Sequence, residues 1–385
     1  MAPSDPLIAA RVAEFNLNLG DIIQRHQQHP SVSSSENLLA AIQGKISRVW
    51  AKRHASKSPR RSSASENPLD DFTSAIVSVN KKLVNLKAFS LDQWALSPTY
   101  DLSRLFDSMW KTFGPQLRTL IVRGTQQNLV AIINSSPRLP SLTEFRMELT
   151  NNYHGVDSPG ALIDIVIPFI QRFKAQLCIL GVSSFSTQVL TPFFNELSQI
   201  SFPCLKRISV QCDFNISFIG EDPESLRRFL TDSSTSLQEV ELRLKPAGII
   251  ADPTLELRLA NWLLDCFVEP RFFTNLTYLD FYGTTLNPVG IDVHVQAIQR
   301  NAPQLRHFVV RDRYLRIPEV QELLEALAAC PKLRYLRLAL LQMDIEIIDA
   351  MAVKVSSLET LYLNVGHSVM PQPSVNLLLL PSKPN

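Results

Sequence analysis

Few side chains in this 385-residue chain have the type and spacing for covalent chemistry. The five cysteines, Cys178, Cys204, Cys212, Cys266 and Cys330, are odd in number and include no CxxC pair. That pattern predicts free core thiols in a reducing compartment, not a disulfide framework or a zinc site. His26 and His29 stand three apart with no cysteine beside them, which fits solvated turn histidines better than metal ligands. Asp70 and Asp71 read as the acidic start of a helix. Gly155 and Gly160 have the spacing of a phosphate-binding loop, but Ala161 and Leu162 stand where a lysine and a hydroxyl are required. No G-x-G-x-x-G, G-x-S-x-G or H-E-x-x-H occurs. Glycine is scarce, at 12 residues, which leaves little for phosphate-cradling loops. The chain is therefore expected to be no enzyme and to hold no cofactor and no metal.

What remains is recognition chemistry. Tyr278, Asp280 and Tyr282, then His307, Val309 and Arg311, then Tyr335, Arg337 and Ala339, then Thr360, Tyr362 and Asn364 recur two residues apart beside apolar positions. Seven of these twelve are Tyr, His or Arg, and four of the chain's seven tyrosines fall here. Such side chains dominate protein interfaces, because planar amphipathic groups give contact area at low entropy cost. The expected partner-binding residues are Tyr278, Tyr282, His307, Arg311, Tyr335, Arg337 and Tyr362. The corresponding early positions, Ala88, Ser90, Asp92, Thr119, Ile121 and Arg123, form a mixed set. A second reading stays open: tyrosine suits strands and could simply cover a sheet.

The positions line up because the chain repeats. L-x-x-L-x-L, with other apolar residues allowed, begins at Leu86, Leu117, Leu142, Leu177, Leu205, Leu237, Leu276, Leu305, Leu333 and Leu358. The steps run from 25 to 39 residues, about 30 on average. Proline stands two residues before the first leucine at Pro115, Pro140, Pro203, Pro303 and Pro331, where a helix must stop before a strand begins. Between motifs the apolar period becomes helical. Leu102, Leu105, Phe106, Met109 and Trp110 form one face, and Leu226, Phe229 and Leu230 form another behind Pro223. Leu255, Leu259, Trp262, Leu263 and Phe267 form a third, and Val320, Leu323, Leu324 and Leu327 a fourth behind Pro318 and Glu319. Alternating strand and helix at this period predicts an α/β leucine-rich repeat solenoid of about ten irregular repeats. Strands spaced about 4.8 Å apart beside helices that need about 8–10 Å predict curvature, with parallel strands on the concave side and helices outside.

Four segments are expected: N-terminal amphipathic helices at 1–51, a basic serine-rich flexible linker at 52–70, the repeats at 71–367 and a tail at 368–385. The first rests on Ile8, Val12, Phe15, Leu19 and Ile22, then Leu39, Ile42, Ile46 and Val49, at helical steps separated by Pro30. Seven cations and no acid lie between Lys45 and Ser65, so a chain of net +2 carries −5 elsewhere. Lys52, Arg53, Lys57, Arg60 and Arg61 read either as a solvated linker or as a nuclear-import or nucleic-acid-contacting tail. Ser58-Pro59 within it has the form expected of a proline-directed phosphorylation point. No charged start precedes an apolar run, and no run reaches the ~18 apolar residues of a membrane span. The expected location is intracellular, cytoplasmic and/or nuclear, with no membrane partner.

The phrases Pro203-Cys204-Leu205-Lys206-Arg207-Ile208, Pro303-Gln304-Leu305-Arg306-His307-Phe308 and Pro331-Lys332-Leu333-Arg334-Tyr335-Leu336 resemble fungal F-box/leucine-rich-repeat proteins of the ribonuclease-inhibitor-like superfold. The resemblance covers roughly residues 80–366, and residues 1–50 hold no recognisable F-box. It implies a non-catalytic scaffold that binds a protein on the concave face of its C-terminal repeats. It further implies a substrate receptor of a ubiquitin ligase, with a cullin-ligase adaptor at the N-terminus. The alternative is a stand-alone recognition or regulatory protein without a ligase link. A nuclear role through nucleic acid at the basic linker ranks behind both.

Overall fold

All ten copies of the leucine motif form β-strands. In nine of them the second and third motif residues are buried, from Phe89 and Leu91 to Leu336 and Leu338. The computed structural model describes residues 13–18, 77, 83–93, 102–135, 138–151, 160–185, 189–214, 223–246, 253–268, 273, 275–286 and 289–368. By internal contacts the chain divides into two units, Met1–Asn275 and Leu276–Asn385.

In unit 1 the strands are β1 (Glu14–Asn18), β2 (Ala88–Asp92), β3 (Thr119–Gly124), β4 (Glu144–Leu149), β5 (Ile179–Ser184), β6 (Arg207–Phe214) and β7 (Glu239–Pro246). They pair in parallel, each with the next in the chain. Between them run α1 (Ser103–Phe113), α2 (Gln126–Asn134), α3 (Ile167–Arg172, entered through a π-helical turn at Leu162–Val166), α4 (Thr191–Ser198) and α5 (Glu224–Ser233), and α6 (Pro253–Val268) follows β7. In unit 2 the strands are β8 (Tyr278–Phe281), β9 (His307–Leu315), β10 (Tyr335–Met343) and β11 (Thr360–Ser368), again parallel neighbours in chain order. They alternate with α7 (Gly290–Asn301), α8 (Ile317–Leu327) and α9 (Ile345–Lys354). The α/β class, parallel strands alternating with helices in an open repeat, is the one the sequence predicts.

One backbone device recurs at nine of the ten motif copies. A single carbonyl of the preceding repeat accepts two successive N–H groups just after the first motif leucine. In unit 1, Lys87 O accepts from Arg118 and Thr119 at 2.7 and 3.0 Å, and Cys178 O accepts from Lys206 and Arg207 at 2.8 and 3.0 Å. In unit 2, Arg306 O accepts from Arg334 and Tyr335 at 2.8 and 3.0 Å. The prolines sit in the turns before these entries, where their missing N–H costs nothing. Register is thereby fixed, and each leucine ridge lies beside the next. The helix faces read from the 3.6 period are the buried ones, including Leu105, Phe106 and Met109 of α1 and Leu323, Leu324 and Leu327 of α8. Each fully buried Leu or Phe contributes about 1.5–3 kcal/mol.

Three expectations need correction. Glu14–Asn18, which includes Phe15 of the expected helical face, form strand β1 on the edge of β2. Val12, Phe15 and Leu17 match L-x-x-L-x-L as well as they match a helix, and pairing with β2 decides between the two. Phe15 stacks on Phe89 at 6.1 Å, and Leu17 is buried. The other residues of 1–51, and the basic stretch 52–70, lie outside the described residues, as does the tail beyond 368. Second, not every thiol is in the core: Cys212, Cys266 and Cys330 are buried, Cys178 is half-buried and Cys204 is exposed in the turn ahead of Leu205. Third, Leu361 is 45% exposed although its register partner Leu336 is fully buried. It points to the same side but belongs to the last described strand, which has no further described repeat over it. Among the described residues no helix is long and apolar enough to cross a membrane.

Candidate functional site

The outward positions of β8–β11 stand in rows set by the parallel register. The first row is Tyr278, His307, Tyr335 and Thr360, and the second is Asp280, Val309, Arg337 and Tyr362. Ring contacts run across the first row: Tyr278 to His307 at 6.0 Å, then His307 to Tyr335 at 5.8 Å, both tilted. Beside the rings the first half of the second row is sunk. Asp280 is fully buried and Val309 only 3% exposed, although both lie on the outward side. Arg311 covers Asp280, its guanidinium donating to the Asp280 carboxylate at 2.6 Å. Arg337 holds its guanidinium 4.5 Å from the centroid of the Tyr362 ring, a cation–π contact. Tyr278, His307, Val309, Arg311, Tyr335 and Arg337 together enclose an open hollow of about 320 Å³.

Five of the seven residues singled out in the sequence thus share one hollow. Tyr362 borders it through Arg337, with 51% of its surface exposed. Tyr282 does not line it. Strand β8 ends at Phe281, and the next residues turn away into a loop fastened from β9. There the Asp312 carboxylate accepts from the Gly283 and Thr284 N–H groups at 3.0 and 2.9 Å and from the Thr284 hydroxyl at 2.7 Å. Arg313 donates to Thr284 O at 2.6 Å and to both oxygens of Glu319 at 2.9 and 2.7 Å. The same Glu319 caps α8 through the Arg316 N–H at 2.7 Å. These residues come from a bulge in β9: between the paired positions 310↔338 and 315↔340, β9 advances five residues and β10 two. On the helix side, His294 is buried against Phe281, stacked at 3.9 Å, with its ring nitrogens 2.8 and 3.3 Å from the Gly290 and Phe281 carbonyls. Burial holds its pKa below the usual histidine range, against the opposing pull of Asp312. The basic residues Lys52, Arg53, Lys57, Arg60 and Arg61 lie outside the described residues.

No protein-family model matches the chain, and no curated protein matches it. Among solved structures, it is similar to the yeast Rad7 and Elc1 complex, with a TM-score of 0.44 and 14% identity over 80% of this chain and 71% of that one. It is also similar to a Bacteroides fragilis protein, with a TM-score of 0.38 and 15% identity over 86% of this chain and 84% of that one. The fold class rests on the strands and helices described above rather than on these likenesses.

The outward face of unit 1 has another chemistry. Arg123 pairs with Asp92 and Glu148 at 3.6 and 3.0 Å, and Arg146 with Glu144 at 2.5 Å. Arg207 pairs with Glu239 and Glu241 at 3.0 and 3.4 Å, and Arg243 with Glu241. Burial raises the Glu148 pKa against the lowering effect of Arg123. The guanidinium groups of this ladder are met by carboxylates on their own or neighbouring strands. In unit 2 the Arg311–Asp280 pair is of that kind, whereas the Arg337 guanidinium faces a ring. Arg337 and Tyr362 are neighbours across β10 and β11, a juxtaposition that only the register shows.

Among the described residues no group of three or more His, Cys, Asp or Glu side chains could hold a metal ion. Burial pushes the Cys330 thiol up to about 12 and the Cys212 thiol higher still, which makes these two poor nucleophiles. The hollow offers stacking surfaces, a phenol at each end of a ring row, and one cation without a carboxylate partner among the described residues. That inventory binds and orients.

Proposed function

We propose that this chain is a non-catalytic protein-interaction scaffold that receives a protein partner on the outward face of β8–β11. The observation that carries the reading is the hollow itself. Tyrosine, histidine and arginine converge around a sunken centre of Val309 and the Arg311–Asp280 pair, and such side chains concentrate binding energy in interfaces. The test compares the full chain with the Tyr335→Ala/Arg337→Ala double variant by affinity purification and mass spectrometry, with thermal melts alongside. The reading expects partners lost from the double variant at an unchanged melting temperature. An identical partner set rejects it, and a collapsed melt assigns the two side chains to structure.

The resemblance to F-box/leucine-rich-repeat proteins gives the scaffold a finer role, presentation of the bound protein for ubiquitin transfer in the cytoplasm or nucleus. That role requires residues 1–50 to hold a cullin-ligase adaptor. A pull-down with the full chain and with a chain starting after residue 50 tests it. Adaptor retained only by the full chain supports the ligase role. No retention by either leaves a stand-alone recognition protein.

A further inference from the structure

Resting on the proposed protein-binding role, the charges of the hollow narrow the chemistry of the partner. Arg311 is spent on Asp280, at 2.6 Å, so that pair contributes no net charge. Arg337 meets no carboxylate among the described residues, and Tyr362 occupies one face of its guanidinium. Stacking uses the π face and leaves the in-plane N–H edges, which are the donors that grip a carboxylate through two parallel hydrogen bonds. The hollow is half-buried around Arg337, so a carboxylate seated there is screened less than one on the open surface. Beside it, the Tyr278–His307–Tyr335 row offers a strip of rings to whatever flanks that carboxylate.

We propose that the hollow takes one acidic side chain, Asp or Glu, from an extended segment of the partner. Its carboxylate sits on Arg337, and a neighbouring aromatic or aliphatic side chain lies against the Tyr278–His307–Tyr335 row. A nucleic-acid strand fits the inventory less well. Each backbone phosphate calls for its own cation, and among the described residues lining the hollow only Arg337 lacks a carboxylate partner.

The experiment selects a random nonapeptide display library against four full-length chains: the unaltered protein, Arg337→Gln, Arg337→Lys and Tyr335→Ala. The unaltered chain should enrich peptides with one Asp or Glu beside an aromatic or aliphatic residue. Arg337→Gln should return the acidic excess to library background, and Arg337→Lys should restore part of it. In the best peptide, replacing Glu by Gln should weaken binding about tenfold or more, the size of a charge-assisted hydrogen-bonded contact. Three results overturn the proposal: no acidic excess on the unaltered chain, the same excess on Arg337→Gln, or tighter binding of a nonameric oligouridine than of any peptide. If Tyr335→Ala loses the selected peptides while Arg337→Gln keeps them, the acidic occupant is wrong and the binding face stands. If the unaltered chain, Arg337→Gln and Tyr335→Ala all enrich alike, both fail.

Discussion

The two units use one backbone plan and finish its outward face in opposite ways. In unit 1 the face is closed by its own charges: Asp92, Arg123 and Glu148 along one row, and Arg207, Glu239, Glu241 and Arg243 across β6 and β7. In unit 2 the same positions carry rings and guanidinium groups around a hollow, with Arg337 left to a tyrosine. Parallel pairing and leucine ridges decide neither outcome, because the side chains involved point away from the core. Fold and recognition are therefore carried by alternate residues of the same strands, and a face can change its chemistry without disturbing the ridge beneath it.

The largest effects should fall equally on both units, because each is built on its own buried leucine ridge. Leu120→Ala in unit 1 and Leu336→Ala in unit 2 remove side chains 1% and 0% exposed and should each cost about 2–5 kcal/mol by chemical denaturation. Leu361→Ala, at the same motif position but 45% exposed, should cost well under half as much. A loss at Leu361 equal to that at Leu336 would mean the last strand is covered. Next come the sunken acids. Asp280→Ala takes the carboxylate away from Arg311 and should cost about 2–3 kcal/mol, short of the ~3–5 of a fully buried pair because Arg311 keeps 24% exposure.

Charge on the faces should separate the units more sharply. Arg123→Gln in unit 1 should cost at most about 1 kcal/mol of stability, as exposed pairs do, and leave partner binding unchanged. Arg337→Gln should leave stability within about 0.5 kcal/mol and remove binding. Equal binding loss from the two variants would erase the distinction between the faces.

The smallest effects concern pH. The pKa of His294 is depressed in the fold by burial, so the unfolded chain binds its proton first. Its contribution to stability is whole above the unfolded value of about 6.5 and is lost as pH falls through the lower folded value. Glu319 is depressed by the Arg313 hydrogen bond, and its contribution is lost lower still, as pH falls below about 4.3. Urea melts at pH 7.5 and 5.5 should show this loss in the unaltered chain and a smaller one in His294→Gln.

Much of this architecture is legible in the residues. Leu333, Leu336 and Leu338 announce a strand because apolar spacing and the Pro331 stop agree, and Val320, Leu323 and Leu327 announce a helix for the corresponding reason. Strand β1 is not legible. Val12 stands 74 residues before Leu86, far outside the repeat period, and Phe15 also fits a helical step. The hollow is half legible: strand alternation places Tyr278, His307 and Tyr335 on one face, but burial of Asp280 under Arg311 depends on side-chain reach across strands. Tyr282 fails to join because Asp312 and Arg313, brought round by the β9 bulge, pull the following turn aside. Bulges leave no periodic trace.

The most direct test places benzoylphenylalanine at position 335, or at the equally outward position 121 of unit 1, in the full chain and irradiates living cells. Position 335 should yield a discrete protein adduct that Arg337→Gln removes, and position 121 should yield none. Adducts from 121 alone, or the same adducts from both positions, would contradict a binding face confined to β8–β11.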